Sequence, residues 1–119
     1  MSEELVRFLQ ASLDEEADLA RGCDGDDACG QWTAHGHTVD FCHLDLSGFP
    51  PTIAQHIALH DPARTLRDIE AKRRVLTRHA HDPWPCDDLR DLAAPYADHP
   101  DFPALTRTSR RSKPNARRA

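Results

Sequence analysis

The chain has no apolar run long enough to span a membrane and no basic leader ahead of a short apolar stretch. Those absences exclude a bilayer-embedded helix and predict a cytoplasmic protein. Aromatic residues make up only 6% of the chain, with one Tyr, two Trp and one Met among 119 residues, so the 39% hydrophobic fraction predicts a small aliphatic core. No G-x-S-x-G elbow and no glycine-rich phosphate loop occurs, which removes two common routes to catalysis. The four cysteines include no C-x-x-C pair. They are expected to stay as reduced thiols rather than form a disulfide framework.

Charge is present but unevenly spread. Arg107, Arg110, Arg111, Lys113, Arg117 and Arg118 give the last thirteen residues +6 with no acid, which leaves −11 on the rest of a chain whose net charge is −5. The acidic body should repel nucleic acid and the basic tail should attract it. Nucleic acid is therefore one candidate partner, through those six side chains. Residues 106–119 also lack apolar periodicity and are expected to be a disordered basic tail after one domain, residues 1–105.

Within that domain the pattern predicts an α+β fold, mostly helical, with about four helices and one β-hairpin. A first helix should run from about Glu3 to Arg21, with Ser2 as N-cap and Gly22 at its end. Its apolar stripe is Leu5, Phe8, Leu9, Leu13, Ala17 and Ala20. Alternation around His35-Gly36-His37 reads as a hairpin over 31–43, with Leu44 and Leu46 extending its second strand. A short helix at 52–60 should meet a long one at a bend. Asp61 is placed to cap that long helix and Pro62 to occupy its first position. Leu66, Ile69 and Leu76 lie on its apolar stripe with Val75 beside it, and Arg73 falls between Ile69 and Leu76, laying its stem along the core edge. After a stiff connector, His81-Asp82-Pro83-Trp84-Pro85, a last short helix should cover about 87–94. Tyr96, Phe102 and Leu105 then pin a proline-rich strap.

The blocks HDPARTLRDIEAKRRVL and PYADHPD, together with the N-terminal SEELVRFLQASLDEE, carry a resemblance over most of residues 2–102. The chain resembles a family of small actinobacterial and actinophage proteins of unknown function. That resemblance implies a fold and a phage-related or mobile-element setting. It implies no catalytic residues.

Four cysteines and eight histidines raise the question of zinc, which takes soft or borderline donors in close pairs. The weak candidates are Cys23, Cys29, His35, His37, Cys42 and His43, against the plainer reading of Cys42 as a small buried hydrophobe and Cys23 and Cys29 as loop thiols. His60-Asp61 resembles a metal-hydrolase dyad, but capping already accounts for Asp61. Cys86 precedes Asp87 and Asp88 at a helix start, where the dipole favours the thiolate and the two carboxylates oppose it, so the plainer reading is a packed cysteine. The expectation is a small non-enzymatic cytosolic binding or regulatory protein with a protein partner, no cofactor, no metal and no membrane contact. The alternatives are a nucleic-acid-associated factor acting through the tail and a zinc-stabilised Cys/His module.

Overall fold

A computed structural model describes residues 2–24, 29–42 and 44–103. The order is α1 (Ser2–Asp24), β1 (Thr33–His35), β2 (Thr38–Asp40), β3 (Asp45–Ser47), α2 (Pro51–Leu59), α3 (Pro62–His79) and α4 (Asp87–Ala93), followed by a 3-10 turn, Ala94–Tyr96. The α+β class and the four helices agree with the sequence pattern. The expected disordered tail and Leu105 lie outside the described residues. None of the described helices is long and apolar enough to cross a membrane.

Two boundaries differ. Gly22 does not end α1, which continues to Asp24; a glycine permits a helix stop without compelling one. Ser2 is counted within the helix instead of capping it.

Leu13–Ala71 form one compact unit. Its centre is a three-stranded antiparallel sheet in the order β1-β2-β3, where a two-stranded hairpin was expected. Leu46 does not prolong β2. The chain reverses at Cys42 and returns, so that Leu46 pairs with Val39, which in turn pairs with Ala34. Gly36 makes the first reversal with φ 60° while His37 keeps a negative φ, the pattern of a tight turn with glycine first. α2 packs against β1 and β2, burying Ala54 and Val39 completely. Two strands alone would be marginal in water, and this cover stabilises the ribbon.

The other unit gathers residues 2–12 with residues 72–103. Leu5, Val6, Leu9, Leu76, Leu89 and Ala93 are among its buried residues. Phe8 meets Tyr96, His99 and Phe102 edge-on, with ring centroids 5.9, 5.3 and 5.6 Å away. Tyr96 and Phe102 thus close upon Phe8, but the segment is not the extended strap that the prolines predict: it is a 3-10 turn followed by further tight turns, closed by bonds such as His99 N–H to the Tyr96 carbonyl at 2.9 Å. Each such edge-to-face pair adds roughly 0.5–1.5 kcal/mol to the apolar burial.

Candidate functional site

The connector after α3 brings four chemically active side chains together. α3 ends at His79, on which the chain turns through Asp82 and the cis Trp84–Pro85 peptide to reach Cys86 before α4. His79 Nδ1 lies 2.7 Å from Asp82 Oδ2, and His79 Nε2 lies 3.0 Å from Asp88 Oδ2. The Cys86 thiol, 8% exposed, donates to the same Asp82 Oδ2 at 3.6 Å. Ligand atoms of His79, Asp82 and Cys86 all lie within 4.8 Å of one another. The hydrogen bond with His79 holds the Asp82 carboxyl below its ordinary range, against desolvation, which pushes it up; the Cys86 thiol lowers it further.

This arrangement is poorly built for nucleophilic catalysis. The thiol donates to a carboxylate, whereas the nucleophile of a thiol enzyme hydrogen-bonds a histidine or stands beside a cation. A nitrogen, a carboxylate oxygen and a sulfur converging on one point are instead a donor set for a metal of borderline softness. The spacing His-x2-Asp-x3-Cys was visible in the sequence. It gave no signal there because the residues stand on a helix end, a turn and a second helix start, so no single periodicity unites them.

The cysteine and histidine positions named from the sequence go elsewhere. Cys29 and Cys42 are joined in a disulfide, which corrects both the expectation of reduced thiols and the reading of Cys42 as a buried hydrophobe. Cys29 is buried while Cys42 is exposed. The physical reason is the sheet: pairing β1 with β2 brings the flanks of the ribbon together, leaving the two Cα atoms 5.4 Å apart. While that bond is intact neither sulfur is available as a thiolate ligand. Cys23 is an exposed thiol outside that bond. His37 Nδ1 is 2.8 Å from the Phe49 carbonyl, which ties the turn to the segment before α2. His35 is exposed on β1, and His43 lies outside the described residues. The six basic positions from Arg107 to Arg118 also lie outside them.

Asp61 is more heavily engaged than capping alone requires. Its Oδ1 accepts the Arg64 amide at 2.8 Å, the N-cap bond, and its Oδ2 accepts the Trp32 amide at 3.1 Å. Pro62 follows at the first helical position, and the Ala63 amide donates to the Gly30 carbonyl at 2.9 Å. His60 Nδ1 lies 2.7 Å from the His56 carbonyl. The His60-Asp61 pair is thus occupied in structural bonds and not presented as a hydrolase dyad. Arg73 is half-buried on α3.

Beside this elbow an open groove of about 530 Å³ is lined by Ala58, Leu59, Asp61, Arg64, Arg67 and Asp68. Leu59 is 55% exposed there, an aliphatic side chain left in water next to two exposed arginines. Of the described large hydrophobic residues, the exposed ones are Leu19, Leu44, Leu46, Ile53 and Leu59, all within Leu13–Ala71.

A family model described as a family of unknown function (DUF6221) matches residues 2–104. No curated protein and no solved structure matches the chain.

Proposed function

The chain belongs to the DUF6221 family, and we propose that it works as a small non-enzymatic binding or regulatory protein that docks a protein partner at the α2–α3 elbow. The observation that supports this is the groove beside Leu59. It combines an apolar floor, Ala58 and Leu59, with the guanidinium groups of Arg64 and Arg67. Asp61 and Asp68 stand in the same lining, with both Asp61 oxygens already accepting backbone hydrogen bonds. The matching occupant is a short apolar segment that carries charged groups, acidic ones where it meets Arg64 and Arg67. Exposed apolar area supplies affinity on burial, and the charged rim sets orientation and encounter rate. A cytoplasmic and phage-related setting completes this reading, the second part drawn from the resemblance of the HDPAR and PYADHPD blocks.

Affinity capture with the full chain tests it, comparing wild type with Leu59→Glu and with the charge reversal Arg64→Glu/Arg67→Glu. All these side chains are exposed, so both variants should keep the wild-type circular dichroism. Both are expected to lose the wild-type partner. Capture of the same partner at the same yield by both variants would remove the elbow from consideration.

A second reading rests on the charge split. The +6 segment from Arg107 to Arg118, set against a body at −11, has the composition of a non-specific phosphate-binding tail. It contains no aromatic residue to stack on bases, so sequence readout is not part of the proposal.

A further inference from the structure

We infer that His79, Asp82 and Cys86 form a binding site for a single zinc-class divalent ion, with Asp88 orienting the imidazole from outside the coordination sphere. This inference is independent of the elbow groove and concerns a different unit of the chain.

Three observations converge on it. The first is donor identity. A thiol sulfur, an imidazole nitrogen and a carboxylate oxygen meet within 4.8 Å, which suits zinc and poorly suits calcium or magnesium, whose ligands are oxygens. The second is spacing. With bonds of about 2.0 Å to nitrogen and oxygen and about 2.3 Å to sulfur, tetrahedral donors stand roughly 3.3–3.5 Å apart. Cys86 Sγ and Asp82 Oδ2, at 3.6 Å, are already at that separation. His79 Nδ1 and Asp82 Oδ2, at 2.7 Å, need to part by about 0.6 Å to reach it. Asp82, whose side chain is 41% exposed, has room to turn, and the His79 nitrogen and Cys86 sulfur, within 4.8 Å of each other, draw in to the same separation as the ion binds.

The third is the far side of the ring. If Nδ1 faces the metal, Nε2 carries the proton and points at Asp88 Oδ2, 3.0 Å away. A ligating histidine commonly donates its other N–H to a carboxylate, which fixes the tautomer and raises its basicity. An ion-pair latch would explain His79 between two carboxylates. It would not call for a largely buried sulfur on the same carboxylate oxygen. Binding converts the Cys86 thiol to thiolate and replaces the proton between His79 Nδ1 and Asp82 Oδ2, and both protons pass to solvent.

The test uses the full chain with its disulfide intact, titrated with Co²⁺ and then Zn²⁺. Wild type should take up one equivalent of Co²⁺ with a thiolate-to-cobalt charge-transfer band, and Zn²⁺ should displace it. Cys23→Ser should retain the band. Cys86→Ser should lose it and His79→Gln should lose stoichiometric binding, each checked for folding by circular dichroism. Asp88→Asn leaves the ligands in place and should weaken Zn²⁺ affinity by about 10–100-fold. No thiolate band in the wild-type protein would overturn the site, whatever the variants do. So would a band abolished by Cys23→Ser, or binding undiminished in both Cys86→Ser and His79→Gln; the cluster would then be an ion-pair latch.

Discussion

Asp61 shows how much one carboxylate can organise. The sequence presents it as an N-cap, and an N-cap needs one oxygen. The structure uses both, one on the Arg64 amide within the same helix turn and one on the Trp32 amide, twenty-nine residues away. Substitution should therefore separate the two roles. Asp61→Ala removes both acceptors and should destabilise the protein by about 2 kcal/mol. Asp61→Asn can still accept one bond through its carbonyl oxygen, but its amide nitrogen cannot accept the second. A loss of about 1 kcal/mol is expected, measured by urea unfolding of both variants against wild type. Equal stability of wild type and Asp61→Asn would show that the Trp32 bond contributes nothing net.

Among the elements, the sheet departs most from the pattern, because its strands are only three residues each. Alternation over so short a span identifies a strand but does not count strands or set their ends. Three features support the ribbon. α2 covers β1 and β2, the Trp32 and Phe41 rings meet edge-on at 4.8 Å, and the Cys29–Cys42 disulfide staples its flanks. Cys42 itself takes φ 90°, uncommon for a residue with a Cβ, and its amide bonds Asp40 Oδ1 at 2.9 Å. A disulfide closing a loop of this size removes about 3 kcal/mol of freedom from the unfolded chain. Reduction, or Cys29→Ser/Cys42→Ser, should lower unfolding stability by about 2–4 kcal/mol, read from denaturation curves with and without reductant. Unchanged stability on reduction would mean that α2 and the ring contact hold the ribbon alone.

For the molecule as a whole, charge separation is the dominant property: an acidic body followed by a basic segment. If that segment binds duplex nucleic acid, affinity should fall with salt along a log–log slope no steeper than about −5, the limit for six phosphate contacts. Deleting residues 107–119 should abolish such binding and leave the melting temperature unchanged. Binding retained by the truncated chain would place the interface on the acidic body instead. The disulfide bears on cellular setting too, since a reducing cytoplasm tends to open such bonds. The cytoplasmic part of the proposed function therefore implies that Cys29 and Cys42 are thiols for some of the protein's life.

By itself the sequence determined the helices, since each helix is a local object. The 3.6-residue stripe on α1, the Asp61-Pro62 start of α3 and the stop before the connector can all be read within a turn or two of the residues concerned. It also carried the likeness to a family of unknown function, whose model matches residues 2–104. Only the tertiary structure decided the pairings between distant positions. Cys29 meets Cys42 because β1 pairs with β2, and Phe8 meets Phe102 because the turns after α4 fold back on α1. His79, Asp82 and Cys86 converge because a turn, with no periodicity of its own, sets the direction of three side chains. Local preference fixes where a segment bends and which face is apolar. Which side chains share a point in space is decided when those faces are buried together.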